Sequence, residues 1–329
     1  MKKFDSLFEQ FQKSKVGIIG DVMLDTYMWG HVERISPEAP VPVVLLDKKE
    51  LRMGGAGNVA LNIQSLGAQA FVISAIGHDD DGKQLQELFQ QNGVDCTYLY
   101  ASNQRVTTNK TRIISRNQQM MRLDAELTAD LQPEDEARVI ELFQTFIVQE
   151  KPQIVILQDY NKGILTQNVI KAVIDTCKAA GVLTAVDPKR KNFFNYTGVD
   201  IFKPNLKEVR EALNQLFTDA SKEQLQDIHR QLQQRLQHHI SFITLSERGV
   251  FYQQDTHAAL IPSHLRNIAD VSGAGDTVIA VAALVYAATK DVNLMAQMAN
   301  IAGGLVCEEV GTAAINRARL LQECDLLLS

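Results

Sequence analysis

"DVSGAGDTVIA" runs from Asp270 to Ala280. It packs two glycines and two carboxylates into Asp270–Asp276, then passes into the apolar run "VIAVAALVYAA". That run reads as a helix, so Gly273, Ala274 and Gly275 stand at or just before a helix N-terminus. Free N–H groups and the positive end of the helix dipole make such a place an anion site. Glycine lets the backbone come close to a phosphate. An aspartate beside an anion site is electrostatically awkward, unless it takes the proton of a hydroxyl that attacks the phosphate. Asp276 is therefore read either as that base or as a helix N-cap, where Asp is common.

Outward from this stretch, short apolar runs alternate with helical patterns. "KVGIIGDVML", "QAFVISAIG", "QIVILQDY", "VLTAVDP", "DIFKPN" and "SFITLSERG" each place four to six apolar residues before polar or glycine punctuation. "NVALNIQSLG", "GKQLQELFQQNG" and "QNVIKAVIDTCKAAG" lie between them with helical spacing. This alternation predicts an α/β fold with a mainly parallel central sheet flanked by helices on both faces. Ligands of such sheets bind at the C-terminal ends of the strands. Two segments, about 26–53 and 96–124, break the pattern with prolines or with strict alternation, and are read as a small β-lid. The Gln-rich segment from Glu211 to Gln237 reads as a solvated helix pair. No internal repeat and no linker interrupts residues 1–329, so one domain is expected.

The bulk composition bounds the partners. A chain of 329 residues with 45% hydrophobic residues can bury a large core, and a net charge of −6 argues against a nucleic-acid binder. The four cysteines are far apart with no CxxC pair, which fits a reducing cytoplasm. No membrane-spanning run and no signal core is present in the sequence. Small-molecule partners and a cytoplasmic location are expected.

Local charge refines this. From Asn103 to Leu123 there are five basic residues (Arg105, Lys110, Arg112, Arg116 and Arg122) and no acid. In an acidic chain this points to an anionic substrate, because guanidinium pairs with phosphate bidentately. The alternative is a set of edge-strand cations that deter aggregation. Asp21 and Asp25 follow the first strand, where carboxylates can accept hydrogen bonds from sugar hydroxyls or simply solvate a loop. Asp159, Lys162, Asp187 and Lys189 also stand at strand ends. Asn205 and Glu208 in "KPNLKE" are three apart, a spacing that suits either a hydrated magnesium ion or a capping box. Two look-alikes are rejected. "GHDDDGKQ", Gly77 to Gln84, has P-loop spacing but three aspartates and no Ser or Thr at its end. "GAGNVA", Gly55 to Ala60, matches a dinucleotide fingerprint but follows charged "DKKELRM" instead of a buried strand.

Taken in order, "GDVMLD", "GGAGNVALNIQSLGA", "GHDDDG", "KPNLKE" and "DVSGAGDTVIA" resemble the ribokinase-like, or PfkB, carbohydrate kinases from about Lys15 to Ile315. "SRNQQMMRLD" and "QDYNKG" narrow the resemblance to the branch of that family that phosphorylates heptose 7-phosphate. The resemblance implies a ribokinase-like fold, ATP and Mg2+ as co-substrate and cofactor, and transfer to the C1 hydroxyl in nucleotide-activated heptose synthesis. It implies that Asp276 is the base and that Gly273, Ala274 and Gly275 form the anion hole. It assigns Asn205, Leu206, Lys207 and Glu208 to the ATP phosphates and magnesium. Thr244, Ser246 and Gly249 are assigned to the nucleotide turn, and Asn300 to the adenine pocket. Asp21, Asp25, Gly54, Gly55, Asn58 and Asp270 fall at substrate-binding positions; Arg112, Arg116, Asp159, Lys162 and Lys189 are added here for the heptose and its 7-phosphate.

Ser246 stands where the family's nucleotide turn has its first glycine. No nucleotidyltransferase motif follows the kinase segment, so nucleotidyl transfer is expected from a separate protein. The resemblance implies a homodimer through the β-lid. It leaves open the anomer and the need for a monovalent cation. The alternatives are a kinase of another sugar or nucleoside and, from a different class, a non-catalytic sugar-binding regulator.

Overall fold

In the computed structural model, which describes residues 3–116, 118–216, 220–264 and 266–328, the apolar runs become one nine-stranded sheet. Its strands in chain order are β1 (Lys15–Gly20), β4 (Gln69–Gly77), β5 (Leu99–Ser102), β8 (Ile154–Gln158), β9 (Leu183–Asp187), β10 (Ile201–Phe202), β11 (Ile240–Thr244), β12 (Val250–Gln254) and β13 (His257–Ile261). Across the sheet they lie in the order β13-β12-β11-β10-β9-β8-β1-β4-β5. All pairings from β11 to β5 are parallel; β12 and β13 add an antiparallel edge that the sequence pattern did not indicate.

Alternation along each strand builds two cores. Val16 and Ile18 of β1, Val72 of β4 and Ile156 of β8 face one core; Ile19, Ile73 and Val155 face the other. The first face is covered by helices α1 (Asp5–Phe11), α2 (Ala56–Ser65), α3 (Asp80–Gln91), α8 (Ala274–Thr289), α9 (Val292–Val306) and α10 (Arg317–Leu327). The second is covered by α4 (Pro133–Glu150), α5 (Gln167–Ala180), α6 (Leu206–Leu213) and α7 (Lys222–Leu236). The Gln-rich segment holds the end of α6 and all of α7, one whole helix where a pair was expected, and α7 buries Leu225, Ile228, Leu232 and Leu236 as a stripe. Every residue of α8 from Asp276 to Tyr286 is buried, so its N-terminus is fixed by core packing all round the helix.

The lid is a separate four-stranded sheet of β2 (Val22–Ile35), β3 (Pro42–Gly55), β6 (Asn109–Ser115) and β7 (Gln118–Ala125), in the order β3-β2-β6-β7. The second lid segment therefore begins later than the expected 96: β5 pairs in parallel with β4 and extends the main sheet, with Ser102 buried. The P-loop look-alike opens α3, where Asp79 accepts from Gly82 N at 2.8 Å and its own carboxylate fills the turn.

Candidate active site

At the start of α8 the N-cap is Gly273, at φ +79, and no side chain caps the helix. Gly273 is required twice over, by that left-handed conformation and because a Cβ would lie 2.7 Å from Asn58 Nδ2. Gly275 is exposed, and a Cβ there would point toward Asp187 Oδ2 and Lys203 Nζ at 3.8 and 3.9 Å. The turn thus opens beside a charged cluster with no side-chain cap, the arrangement an anion needs, although Ala274 N donates to Val271 O at 3.3 Å.

Asp276 lies three residues inside the cap, so it is not the N-cap. Its carboxylate is buried and held by three donors: Asn58 Nδ2 to Oδ2 at 2.8 Å, and Gln158 Nε2 and Tyr160 OH to Oδ1 at 3.0 and 2.8 Å. Burial pushes its pKa up to about 6, against the pull of the Asn58 and Tyr160 hydrogen bonds. A carboxylate so tuned is ionised at neutral pH and still basic enough to accept a proton. Tyr160 is held well above its ordinary pKa by burial and by the charge of Asp276, and so remains a donor.

Gln158 also reaches Asp187 Oδ2 at 3.4 Å, joining Asp276 to a charged network. Asp187 pairs with buried Lys203 at 2.9 Å and with Lys189 at 3.5 Å. Burial would raise its pKa, but the two ammonium groups hold it below the usual carboxylate range. Lys189 continues to Glu208 at 2.5 Å and stands 5.6 Å from the centre of the Tyr160 ring. The capping box forms: Glu208 N donates to Asn205 Oδ1 and Asn205 N to Glu208 Oε2, both at 2.8 Å. It sets a second helix N-terminus, that of α6, with the free first-turn amides of Leu206 and Lys207. The side chain of Lys207 is solvent-exposed and pairs with Glu211.

Thr244 ends β11 and bridges to Asn205. Ser246 (φ +54) and Gly249 (φ +93) shape the turn after it, and a Gly249 Cβ would strike Ile261 O at 2.0 Å. Asn300 on α9 donates to Pro262 O at 2.8 Å. Gly249 and Asn300 thus meet at the same 261–263 segment.

On the lid side, Asp25 accepts from Arg112 at 2.6 Å, and Gly54 leaves the space that Asp25 Oδ2 occupies, since a Cβ would lie 2.5 Å away. Gly55, at φ +58, is the N-cap of α2, which carries Asn58. Asp21 accepts from the backbone amides of Tyr160, Lys162 and Ile164 at 2.7, 3.0 and 3.1 Å, so it shapes the loop that presents Tyr160. Burial pushes Asp21 up to about 6, with Asp159 adding to the rise. Asp159 accepts from Tyr196 OH at 2.6 Å and Asn161 N at 2.7 Å; Lys162 pairs with Glu126 at 2.7 Å.

The sequence pattern of the pfkB family carbohydrate kinases matches residues 13–319. The chain belongs to the pfkB family of carbohydrate kinases. It is 37% identical to the bifunctional protein HldE of Geotalea uraniireducens over 98% of its own length and 65% of that protein's. With HldE of Caulobacter vibrioides the identity is 40% over 94% of this chain and 63% of that one. The kinase thus spans somewhat less than two thirds of these relatives. Phosphofructokinase-2 from Escherichia coli in complex with potassium shares the fold at TM-score 0.79 and 17% identity, over 96% of this chain and 99% of that one. Arabidopsis thaliana ribokinase complexed with ribose and ATP does so at TM-score 0.71 and 17% identity, over 94% and 99%. The ribokinase-like fold expected from the sequence is therefore observed.

Kinases of this family use ATP and a divalent metal. Both oxygens of Glu208 are already engaged, and among the described residues no three His, Cys, Asp or Glu side chains form a metal cage. A divalent metal that keeps most of its waters and leans on substrate phosphates would suit such a site, with Glu208 and Asp187 to hold its water shell.

The fold brings Asp276, Gly273–Gly275, Asn58, Asn205, Glu208 and Lys189 into one connected region. It leaves Arg116 apart: this residue is exposed at the tip of the β6–β7 hairpin, beyond the end of β6. Asp270 serves the turn itself, accepting from Ser272 N and Gly311 N at 2.9 Å each. Burial opposes ionisation there, yet these amides hold the Asp270 carboxyl below its ordinary value. The partners that the sequence reading missed are Gln158, Tyr160 and Lys203. The first two lie inside the quoted "QDYNKG", but their roles depend on a helix more than 100 residues away. A cavity of about 710 Å³, lined by Lys151, Val182 and Lys290 among others, sits at the opposite end of the strands and is not this site.

Proposed function

We propose that the kinase transfers the γ-phosphoryl group of ATP to the C1 hydroxyl of D-glycero-D-manno-heptose 7-phosphate, giving the 1,7-bisphosphate for nucleotide-activated heptose synthesis in the cytoplasm. The observation that carries this reading is the buried Asp276 carboxylate, tuned near neutrality at the mouth of an uncapped glycine turn. The C1 oxygen attacks the γ-phosphorus, the bond from that phosphorus to the β–γ bridging oxygen breaks, ADP leaves, and the hydroxyl proton goes to Asp276. Amides of Gly273–Gly275 meet the charge on the transferring group; removing one such donor from comparable sites costs about 10² to 10³ in rate. Glu208 and Asp187 would hold the waters of a bound magnesium ion, which would neutralise phosphate charge. Thr244, Ser246, Gly249 and Asn300 receive the nucleotide.

Heptose phosphate is favoured over a free sugar by the basic side chains on the lid and by the similarity to the bifunctional HldE proteins. Asp25, Gly54, Asn58 and Asp159 serve the sugar, with Arg112, Lys162 and Lys189 the candidates for its phosphate. The likeness to phosphofructokinase-2 solved with potassium favours a monovalent cation as well; activity in potassium against choline salts tests it. The homodimer reading rests on the outer lid, where β7 is exposed throughout and Leu45, Leu46, Met121 and Leu123 are each more than 40% exposed. Light scattering on the wild type and on Met121→Glu tests that contact.

The deciding assay is ADP release with ATP, magnesium and D-glycero-D-manno-heptose 7-phosphate, beside free heptose, ribose and fructose 6-phosphate. Turnover confined to the heptose phosphate is expected. Faster turnover of another sugar overturns the substrate while leaving the kinase; no ADP with any sugar would revive a non-catalytic regulator.

A further inference from the structure

Arg52 of β3 performs no task in the chemistry above, yet it is the residue through which the lid reaches the phosphoryl-transfer turn. Its Nη1 donates to Val310 O at 3.0 Å and Thr312 O at 3.2 Å, and its Nε donates to Glu50 at 2.7 Å. Its guanidinium lies 4.8 Å from the centre of the Tyr27 ring, while Arg112 stands 5.1 Å from that same ring and binds Asp25. Pairing of β3 with β2 and of β2 with β6 sets Arg52 opposite Asp25 and Arg112 opposite Tyr27, so all four side chains share one face of the lid.

The loop that Arg52 grips is built around it. Gly311 has φ +75, and a Cβ there would lie 2.5 Å from Arg52 Nη1 and 3.1 Å from Tyr27 OH. Gly311 N donates to Asp270 Oδ2, and Asp270 Oδ1 accepts from Ser272 N, the residue before the Gly273 cap. Thr312 approaches the turn again, with its Cγ2 3.4 Å from where a Gly273 Cβ would stand. An unbroken line of contacts therefore runs from the lid's substrate face, through Arg52 and Gly311, to the glycine turn.

We propose that Arg52 is a positioning residue that latches the lid to the 310–312 loop and so sets the geometry of the anion-binding turn. Only the planar fork of arginine bonds two carbonyls and a carboxylate while stacking on a ring, so lysine cannot replace it. Lid position and turn geometry are coupled because both sites bias one hydrogen-bonded element. The inference rests on the kinase reading of the turn, not on the identity of the sugar.

Two measurements on the full chain test it. Hydrogen exchange on the ligand-free protein compares wild type, Arg52→Ala and Arg52→Lys. Exchange in peptides covering 308–314 and 269–276 is expected to quicken about tenfold in both variants, as loss of a hydrogen bond from a charged donor implies. Quickening confined to 308–314 overturns the coupling, and no change in either overturns the latch. This arm needs no substrate, so it stands even if heptose phosphate is the wrong sugar.

With whichever sugar the wild type turns over, Arg52→Ala is expected to lose about 10- to 100-fold in kcat, the scale of a misplaced reacting group. Its sugar KM stays within about threefold of wild type. Added guanidine restores part of the rate to Arg52→Ala. A raised sugar KM at unchanged kcat makes Arg52 a substrate contact and overturns the proposal. Should Arg52→Ala fail to fold, Arg52→Lys carries the same two comparisons.

Discussion

Tyr160→Phe is the substitution that isolates the tuning of Asp276, the proposed base. It removes one of the three donors to Asp276, the 2.8 Å bond to Oδ1, and leaves the Asn58 and Gln158 bonds in place. Asp276 titrates at about 6 because burial outweighs those bonds. A hydrogen bond to a charged group is worth about 1.5–3 kcal/mol, and one pKa unit is about 1.4 kcal/mol, so the variant's carboxyl moves to roughly 7–8. The sign follows from the role: the base works ionised, so activity is full above its pKa and is lost as pH falls through it. At pH 7 the wild type is about 90% ionised and the variant about 10–50%, which makes a roughly two- to tenfold loss that disappears above about pH 9. Coupled ADP release measured from pH 5 to 9.5 reads the acidic limb of kcat/KM directly. An acidic midpoint that stays near that of the wild type refutes the assignment of Asp276 as the titrating base. Asp276→Asn serves as the control and is expected to remain inactive at every pH.

Other outcomes follow from the same geometry. Gly273→Ala meets both a φ of +79 and Asn58 Nδ2 at 2.7 Å, so it is expected to lower Tm and to cut kcat by more than the stability loss explains. Lys203→Met removes the 2.9 Å partner of buried Asp187 but leaves Lys189 at 3.5 Å, and is expected to cost about 1–3 kcal/mol in urea unfolding, the scale of a buried acceptor that loses one of its partners. His238 and His229 both bond buried Ser241, at 2.6 and 2.9 Å. Burial, helped by the neighbouring histidines, lowers His238 to about 3. Its neutral form is thus favoured on folding, and stability is lost as pH falls below about 6.5, the ordinary histidine value. His238→Gln is expected to flatten Tm against pH between 7 and 4.5; an equally steep fall in the variant would assign acid lability elsewhere.

The stretch from Asp270 to Ala280 announced its own geometry because that geometry is local. Glycines at a helix start, an apolar run behind them and one carboxylate three residues inside are all matters of short-range geometry, and the turn, the helix and the placing of Asp276 were readable in order. Strand periodicity likewise exposed the parallel sheet, since burial on both faces writes continuous apolar runs. The lid's exact reach was not readable: Leu99–Ser102 alternates like a lid strand, and only its pairing with Ser74–Gly77 of β4 decides that it belongs to the main sheet. Nor could spacing choose between ligand and cap for Asn205 and Glu208. The capping box is local, but the reach of Lys189 to Glu208, and through Asp187 and Gln158 to Asp276, depends on three strand ends meeting.

Sequence by itself therefore determined most of the elements of the parallel sheet and the residue types at their ends, because propensity, periodicity and glycine chemistry act over a few residues. Tertiary structure alone decided which ends meet. It turned Asp21 from a free strand-end carboxylate into the clamp of the Tyr160 loop, left Arg116 in solvent and brought Arg52 to Gly311 across 259 positions of chain. The physical reason is that a hydrogen bond or ion pair is set by distances of about 3 Å, and such distances between remote residues exist only once the sheet, its two cores and the lid have packed.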